Sequence, residues 1–514
     1  MLNGGGGLNP DGLSLDLQFA ADKTLTARRG PTPSFSRASS GTFVNANGLI
    51  VGKTAGTTSS ITPSTQAIGS QVTVTVASGS VVGWVVGQAI SLIVDTDGQD
   101  DPDATELWLL GNIVSTTGTT LVFEVTSRTA QAGSATSWTL GYRGPRFDHT
   151  AAGVCRGLLI EESRTNSLKF SENLTNTTNW SASNQTVTLA DVGPDGITNS
   201  AAVLNEGTAF GPHSVRGVFV QNRPVMGAVS CTLSAFFKAG TRRYILFAAT
   251  DAGANGVAMT IDTQTWSVTD AKAIGTGITY TTNRLTNYGG GWYRAELTFT
   301  PSAATTVTPI IWGTALSTFT ALDPQYTGTS STIIAYGVQL EAGSFATSYI
   351  PTVASTVVRS ADVCSITGAN FNSIWNAAEG TMLSIGDSFG SAFAFYTYLT
   401  AQGSPSTSNV FMANFGATAV VIQKDTPQAF KSEATIPDAT LKKLAYSYTS
   451  GSTSSSAING AIPTPSTNNS TASVASASSF DIGFVSTSRL NGHIAAIRYY
   501  RKRFSNAKLA QLTV

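Results

Sequence analysis

The sequence is poor in charged residues. Asp, Glu, Lys and Arg make up 12% of its 514 residues, against roughly 25% in ordinary soluble domains. Thirty basic residues balance thirty acidic residues, so the formal net charge is zero. Affinity for phosphate groups comes from clustered Lys and Arg, so this balance argues against a nucleic-acid partner and against a polybasic membrane contact.

Cysteines and long apolar runs are also scarce. The cysteines Cys155, Cys231 and Cys364 are odd in number and far apart, which argues against a disulfide framework or a CxxC metal site. We therefore expect folding in a cytoplasm, without oxidising help. Because no run of 18 apolar residues occurs, we expect no membrane insertion. The first residues show no basic region followed by an apolar core, so no secretory signal is visible.

Residues that commonly perform catalysis are few. The histidines are His149, His213 and His493, and no G-x-S-x-G nucleophile motif accompanies them. We interpret His149 and His493 as structural hydrogen-bonding residues. Glu161 and Glu162 are adjacent, and neighbours on a strand point to opposite faces, so this pair does not serve one sugar. A polysaccharide depolymerase stays open as an alternative, because carboxylates from distant strands can meet across a cleft.

What the chain has instead is many short β runs separated by Gly, Asn and Asp turns, with 50 glycines overall. Long amphipathic helices and coiled-coil heptads are not seen. Runs between about 169 and 350 have the spacing of an antiparallel sandwich or jelly roll, and the pattern restarts after Pro351. Residues 52–143 look like a small inserted β domain. We therefore predict an all-β fold of tandem antiparallel β-sandwiches, with this insert and a flexible Gly-rich N-terminal arm.

The insert contains one acidic cluster, DTDGQDDPDATE (95–106). Side-chain oxygens follow one another there at a spacing that resembles a calcium loop. Gly98 lies two positions before the place of the glycine in such a loop. Pro102 interrupts the acidic run, and no predicted helices flank the run. We therefore prefer a solvated acidic loop and keep a Ca²⁺ site as the alternative. The ligands in that alternative are Asp95, Asp97, Asp101, Asp103 and Glu106.

Sugar binding needs aromatic rings beside a few polar groups. In GGWYRAELTF (290–299), alternation puts Trp292, Arg294 and Glu296 on one strand face. The opposite face is apolar, so we expect it to pack in the hydrophobic core. We predict a carbohydrate-binding site on the first face, open to solvent, which Trp266 and Tyr244 extend from neighbouring β runs. The alternative is that Trp292 covers a sheet edge or a subunit contact.

The second sandwich has weaker signals. Alternation in AFAFYTYL puts Tyr396 and Tyr398 on one face, which suits a ligand or another subunit. The basic run RYYRKRF (498–504) is too short to indicate nucleic acid, so we interpret it as a solvated strand edge.

Several fixed strings resemble one family, the bacteriophage tail-fibre and head-spike virion proteins. In these, a carbohydrate-binding-module-like jelly roll precedes a concanavalin-like, laminin-G-like lectin sandwich. The resemblance covers most of 13–50 and 144–514, but not the insert. The strings are FSRASSGTFVNANGLI (35–50), PRFDH (145–149), RGLLIEESRTNSL (156–168), YGVQLEAGSFATSYIPT (336–352) and LNGHIAAIRYYRKRFSNAKLAQLT (490–513).

The resemblance implies a virion-surface protein that binds host cell-surface polysaccharide without cleaving it. A structural capsid head spike or decoration protein is the alternative. It also implies synthesis in the host cytoplasm, action outside the cell, attachment to other virion proteins through the N-terminal arm, and a homo-oligomer. A trimer is the fibre state and a pentamer the head-spike state. The domains expected are an arm (1–51), the insert (52–143), a connecting segment (144–168), the jelly roll (169–352) and the lectin sandwich (353–514).

Overall fold

Antiparallel strands make up most of the chain in the computed structural model, which confirms the predicted all-β class. The structure describes residues 12–76, 81, 84–94, 105–218, 221–251, 255–389, 395–403, 410–415, 419–424, 430–435, 441–450, 454–463, 465–468, 477–485 and 488–514. The α-helices of these ranges are α1 (Phe19–Asp22), α2 (Gly368–Ile374) and α3 (Asn506–Thr513). None of the three has the length and apolar character needed to span a membrane.

Short strands begin the chain, and a barrel follows them. The bounds are β1 (Leu13–Leu17), β2 (Ser34–Ser36), β3 (Phe43–Val44), β4 (Ile50–Val51), β5 (Lys53–Ile61), β6 (Gln71–Val76), β7 (Ala89–Val94), β8 (Leu107–Thr117), β9 (Thr120–Arg128) and β10 (Ala135–Tyr142), with a 3₁₀ turn at Pro63–Thr65. Strands β5 to β10 close into a barrel in the order β10-β5-β6-β9-β8-β7. In β6, alternation buries the three valines of QVTVTV, as period-two patterning requires. The barrel occupies the stretch for which the sequence predicts an inserted β domain.

Two sheets form the first sandwich, after a connecting region. The connecting strands are β11 (Arg146–His149), β12 (Cys155–Ile160) and β13 (Arg164–Asn166). The sandwich and its minor strands are β14 (Trp180–Ser183), β15 (Gln185–Asp191), β16 (Ala201–Glu206), β17 (Phe210–Gly211), β18 (Ser214–Gly217), β19 (Val225–Met226), β20 (Cys231–Lys238), β21 (Tyr244–Thr250), β22 (Gly256–Asp262), β23 (Ser267–Ile274), β24 (Ile278–Gly289), β25 (Trp292–Pro301), β26 (Thr305–Thr306), β27 (Thr308–Thr314), β28 (Tyr326–Thr327) and β29 (Thr332–Ala342).

The two six-stranded sheets of this sandwich face different surroundings. We call β15-β16-β29-β20-β25-β24 the cleft sheet and β14-β18-β27-β21-β22-β23 the far sheet. Leu233, Leu297 and Phe299 of the cleft sheet share one buried apolar core with Phe247 and Met259 of the far sheet. The outer face of the cleft sheet turns away from this core, toward the N-terminal region.

The second sandwich contains β30 (Val357–Arg359), β31 (Val363–Thr367), β32 (Glu379–Gly386), β33 (Phe395–Gly403), β34 (Val410–Phe415), β35 (Ala419–Lys424), β36 (Phe430–Thr435), β37 (Lys442–Thr449), β38 (Ser454–Ile458), β39 (Pro465–Asn468), β40 (Ala477–Ile482), β41 (Phe484–Val485), β42 (Ser488–Arg489) and β43 (Gly492–Tyr500). One of its sheets has the order β11-β12-β43-β32-β37-β38, with β1 also on β43, and the other is β2-β31-β40-β33-β34-β35-β36-β39. The sheets enclose a core that includes Phe371, Trp375, Phe480 and Tyr499.

The strand pairing corrects the expected domain boundaries. Residues expected in the arm (1–51) and the connecting segment (144–168) supply strands to the second sandwich: β1 and β12 both pair with β43, and β2 pairs with β31. These pairings satisfy backbone groups that an edge strand would expose. The second sandwich is therefore assembled from distant parts of the chain, and the barrel and the first sandwich are insertions within it. The first eleven residues lie outside the described part.

Candidate functional site

A cavity of about 170 Å³ lies where the cleft sheet meets the N-terminal region and the second sandwich. We call it the interdomain cleft. The first sandwich contributes Arg284, Tyr288, Arg294 and Glu296, and the rest of the wall includes Asp148, Arg156, Phe389 and the segment 42–44. Aromatic rings, guanidinium groups and carboxylates therefore converge on one space from parts of the chain that are far apart in sequence.

Strand β25 builds one wall as the alternation predicts, but its outer face is closed rather than open. Trp292, Arg294 and Glu296 share that face, and their exposed fractions are 4%, 2% and 4%. Ala295 and Leu297 point the other way and are fully buried in the sandwich core. The expectation of an open sugar-binding face is wrong, because the N-terminal region and the segment at 346–349 cover the sheet.

Trp292 belongs to an apolar cluster beside the cleft. It packs with Ile50 of the N-terminal region and with Tyr336 and Tyr349, and its ring centroid lies 6.4 Å from that of Tyr336. The Lys238 ammonium lies 5.9 Å from the Trp292 ring centroid. Trp292 therefore joins the N-terminal region to the cleft sheet, and it is not part of the cavity wall.

Trp266 and Tyr244 do not extend this face, which corrects the prediction that they do. Tyr244 begins β21 and pairs with Asp262 of β22, so both belong to the far sheet. Trp266 lies in the turn between β22 and β23, and its ring stacks on Tyr293 with centroids 4.1 Å apart and planes 8° apart. The core of the sandwich separates the outer faces of the two sheets, so these aromatic residues cannot line the cleft.

The cleft sheet places an ion pair and a second, almost fully buried arginine at the cavity. Arg284 of β24 lies directly across from Glu296 of β25, and its Nε and Nη2 donate to the two carboxylate oxygens at 2.9 and 2.8 Å. Arg294 donates from Nη1 to the Thr347 carbonyl at 2.7 Å and from Nη2 to the Ser234 hydroxyl at 3.0 Å. The Nε of Arg294 is buried without a hydrogen-bond partner.

The second sandwich closes the opposite side with Arg156 and Phe389. Arg156 Nη2 donates to Asp387 at 2.9 Å. The guanidinium carbons of Arg156 and Arg284 lie 5.3 and 5.7 Å from the Phe389 ring centroid, within the distance at which cation–π attraction operates. The Phe389 ring is thus contacted by one guanidinium group from each sandwich.

His493 of β43 bridges two carboxylates beneath this ring. Its Nδ1 lies 2.8 Å from Asp387 Oδ1 and its Nε2 lies 2.9 Å from Asp148 Oδ2. Ionised carboxylates only accept hydrogen bonds, so both ring nitrogens must carry protons. Burial disfavours the charged ring and Arg156 opposes it too, yet the two aspartates outweigh both and raise the pKa of His493. The two contacts and the raised pKa of His493 therefore favour its imidazolium form.

His149, the histidine of the PRFDH string, also has a hydrogen-bond partner. His149 Nδ1 lies 3.0 Å from the Val44 carbonyl oxygen, while Asp148 Oδ1 accepts from the Val44 backbone N–H at 2.6 Å. Asp148 and His149 therefore fix β3 against the second sandwich. The cleft wall at 42–44 depends on these two contacts.

A fully buried ionic junction lies behind the cleft. It consists of Arg37, Arg146, Arg359, Glu161 and Asp362, which are 0–5% exposed. Arg146 donates to both Glu161 and Asp362, and Arg37 donates to Asp362. Burial alone would raise the pKa of Asp362, but Arg146, Arg37 and Arg359 lower it overall. Burial, with Arg146 beside it, lowers the pKa of Arg37 to about 10.

The junction joins the two sandwiches and the N-terminal region. Glu161 accepts hydrogen bonds from the backbone N–H and the hydroxyl of Ser348, both at 2.7 Å. Its neighbour Glu162 instead pairs with Arg164 and accepts from Asn491. Glu161 and Glu162 therefore have separate sets of partners, as the alternation of adjacent residues indicates.

Two groups of predicted site residues lie mostly outside the described part. Asp95, Asp97, Asp101 and Asp103 of the calcium alternative are among the undescribed residues, and Glu106 is 1% exposed. The side chains of Tyr396 and Tyr398 also lie outside it. Within the ranges that the structure describes, no three His, Cys, Asp or Glu side chains are placed to hold a metal ion. The Ca²⁺ site stays a prediction.

Sequence reasoning missed Arg156, Arg284 and Phe389. Arg156 begins one of the strings that carry the family resemblance, and Asp148 and His493 lie in two others. Those strings mark the residues without indicating what each residue does. Arg284 is found only through the register of β24 on β25. Phe389 follows β32, and nothing in its local sequence distinguishes it.

Comparison with known proteins gives little beyond this geometry. No protein-family model and no curated protein matches the chain. Among solved structures, the carbohydrate-binding module CBM40 of a Ruminococcus gnavus sialidase, bound to α2,3-sialyllactose, has 12% identity and a TM-score of 0.24; it covers 28% of this chain and 88% of its own.

Two further solved structures cover more of the chain. Domains LG4-5 of the mouse laminin α1 chain have 7% identity and a TM-score of 0.20, covering 68% of this chain and 92% of their own. The Trypanosoma rangeli sialidase in complex with the inhibitor DANA has 9% identity and a TM-score of 0.21, covering 97% and 96%. Likenesses with TM-scores this low carry no functional argument, so the function has to be inferred from the cleft itself.

Proposed function

We propose that this chain is a non-catalytic glycan-binding protein of a phage-like virion surface, a tail fibre or spike, which holds host-surface polysaccharide in the interdomain cleft. The observation that carries the proposal is the composition of the cleft wall. Tyr288, Tyr349 and Phe389 supply aromatic surface, while Arg284, Arg294 and the hydroxyls beside them supply polar contacts. Aromatic surface with a few converging polar groups is what a small-molecule site requires.

The size of the cavity limits how much of a glycan it holds. Its volume of about 170 Å³ is below the roughly 300–1,000 Å³ of sites for drug-sized ligands. A single sugar ring matches that volume better than an extended chain segment. We therefore infer that the cleft takes a terminal or branching residue of the polysaccharide.

The state of the cleft carboxylates supports binding rather than hydrolysis. Glycoside hydrolysis uses two carboxyl groups, one of which must donate a proton to the leaving oxygen. Glu296 is held bidentately by Arg284. Burial would raise the pKa of Glu161, but Arg359 and Arg146 hold it well below its usual range. With its pKa held low, Glu161 is a poor proton donor at neutral pH.

The virion setting rests on the resemblance of the fixed strings. It implies attachment through the N-terminal arm, action outside the cell, and a homo-oligomer, trimeric for a fibre and pentameric for a head spike. Electron microscopy of particles labelled with an antibody to this chain tests that setting. Label on tails supports a fibre, label on capsids favours the head-spike alternative, and absence from particles contradicts both.

Binding and cleavage are separated by one incubation. The purified full chain is mixed with polysaccharide from the host surface, and both retention of the polysaccharide and its chain length are measured. We expect retention with unchanged chain length. Shortened chains would establish the depolymerase alternative, and no retention would contradict the glycan-binding proposal.

A further inference from the structure

The cleft has hydrogen-bond donors left over. A guanidinium group carries five N–H donors. Arg156 uses Nη2 on Asp387, and Arg284 uses Nε and Nη2 on Glu296. Within the described residues, no protein group accepts from the other N–H groups of these two arginines. Arg294, which is 2% exposed, keeps a buried Nε without a partner.

The carboxylates of the same wall have no oxygen left over. Both oxygens of Glu296 accept from Arg284, and one accepts from the Ala346 N–H as well. Glu161 accepts at both oxygens from Ser348. Asp148 accepts from the Val44 N–H at one oxygen and contacts His493 at the other. Every carboxylate oxygen that faces the cleft therefore already has a protein partner.

This imbalance defines the chemistry of the ligand. Guanidinium donors match the two oxygens of a carboxylate in a parallel, bidentate arrangement. Neutral hydroxyls both donate and accept, and here their donors would have to share carboxylate oxygens that already accept from protein groups. We propose that the cleft selects an acidic saccharide, with the carboxylate of a sugar acid bound by Arg156 and Arg284. This inference rests on the proposed glycan-binding function and adds the class of sugar.

Exposure agrees with this assignment of roles. The side chains of Arg156 and Arg284 are 27% and 36% exposed, so a ligand can reach them. Arg294 is almost fully enclosed and acts from the floor of the cavity. Because the two accessible guanidinium groups meet at the Phe389 ring, the sugar ring would lie beside that aromatic surface while its carboxylate meets the donors.

The test compares matched pairs of saccharides on the full chain. Oligosaccharides that contain glucuronic, galacturonic or sialic acid are each assayed beside their carboxyl-reduced forms, in which the acid is a primary alcohol and the linkages are unchanged. Isothermal titration calorimetry gives the dissociation constants. We expect at least one acid form to bind about tenfold more tightly than its reduced form, with a preference that decreases as salt screens the charges.

A double variant tests whether the preference for the acid form arises in the interdomain cleft. Arg284→Gln combined with Glu296→Gln removes both members of the cleft pair, so no unpaired charge is left behind, and thermal unfolding verifies that the variant is folded. The matched control is Arg243→Gln with Asp262→Asn, which removes a similar pair at 2.9 Å on the far sheet. We expect the cleft variant to lose the preference for the acid form and the control to retain it.

Each result bears on a different claim. Equal binding of acid and reduced forms would overturn the acidic-saccharide inference and leave glycan binding intact. A preference that survives in the folded cleft variant would also overturn it, because another site would then carry the selectivity. If neither these saccharides nor host polysaccharide bind, the proposed function itself is wrong.

Discussion

The buried junction and the interdomain cleft contain the same types of side chain but differ in how far those side chains are exposed to water. In the junction, Arg146 and its partners are enclosed completely, and the carboxylates of Glu161 and Asp362 are fully engaged. In the cleft, the arginines of the Arg156–Asp387 and Arg284–Glu296 pairs stay partly exposed. The Nε of Arg146 and the Nε of Arg359 also have no hydrogen-bond partner, but no ligand can reach them, whereas a ligand can reach the partly exposed guanidinium groups at the cavity.

Because of this difference, we expect the junction to hold the domains together and the cleft to recognise a ligand. The junction links residues from the N-terminal region, β11, the loop after β12 and the start of the second sandwich, so its loss affects the assembly of the fold. The cleft pairs lie at the surface where the two sandwiches meet. We therefore expect junction substitutions to change stability and cleft substitutions to change binding.

The largest effect is expected from Asp362→Asn. This change leaves Arg37 and Arg146 buried without their shared carboxylate, and breaking a buried ion pair from one side costs roughly 3–5 kcal/mol. Denaturant-induced unfolding, followed by tryptophan fluorescence, measures the loss. The matched control is Asp262→Asn, whose partner Arg243 is 48% exposed, so water can solvate the guanidinium that is left unpaired and the loss should be smaller. Equal losses in the two variants would contradict a special role for the junction.

The next effect concerns Phe389→Leu, which tests the cleft directly. The change removes the ring that Arg156 and Arg284 approach, and each cation–π contact contributes about 0.5–1 kcal/mol. Saccharide affinity should fall on the order of tenfold because the two guanidinium groups lose the ring beside them, and the lost contacts should lower the unfolding free energy by about 1–2 kcal/mol. The control is Phe210→Leu, since Phe210 is 71% exposed on a strand away from the cleft. Unchanged affinity in Phe389→Leu would remove this ring from the binding site.

His493 lies between the two regions, and its effect depends on pH. Its pKa is raised in the folded chain, so its contribution to stability is fully present below the unfolded value of about 6.5. That contribution is lost as pH rises through the folded pKa. The unfolding temperature of the native chain should therefore decrease across this window, and that of His493→Gln should not show the same decrease. Parallel pH profiles would contradict the imidazolium bridge.

The sequence predicted local patterns well and their long-range partners poorly. The two faces of β25 follow from alternation, because a strand fixes the direction of its own side chains. What covers the outer face depends on Ile50 and Tyr349, which are far from β25 in the chain. The face was therefore assigned correctly and its exposure wrongly.

The cleft illustrates the same limit. Alternation in one strand indicates Arg294 and Glu296, but Arg284 joins them through strand register and Arg156 through the pairing of β12 with β43. The sequence alone shows neither pairing. The β runs of Trp266 and Tyr244 are neighbours of β25 in sequence, which favours placing them beside it, yet antiparallel sandwiches often place sequential strands in opposite sheets.

The smallest effect on saccharide affinity is expected from Trp266→Ala. This variant also tests whether the ligand binds in the cleft at all. Trp266 stacks on Tyr293 and has a backbone φ of 50°, an unfavourable value for a bulky side chain. Losing the stack costs about 0.5–1.5 kcal/mol beyond the apolar area of the half-buried ring, and alanine keeps the Cβ that makes this φ unfavourable, so the strain is not relieved. Saccharide affinity, measured as for Phe389→Leu, should not change, because Trp266 lies on the far sheet. If affinity falls further in Trp266→Ala than in Phe389→Leu, binding takes place at the rim of the first sandwich, and the cleft arginines serve the domain interface just as the junction does.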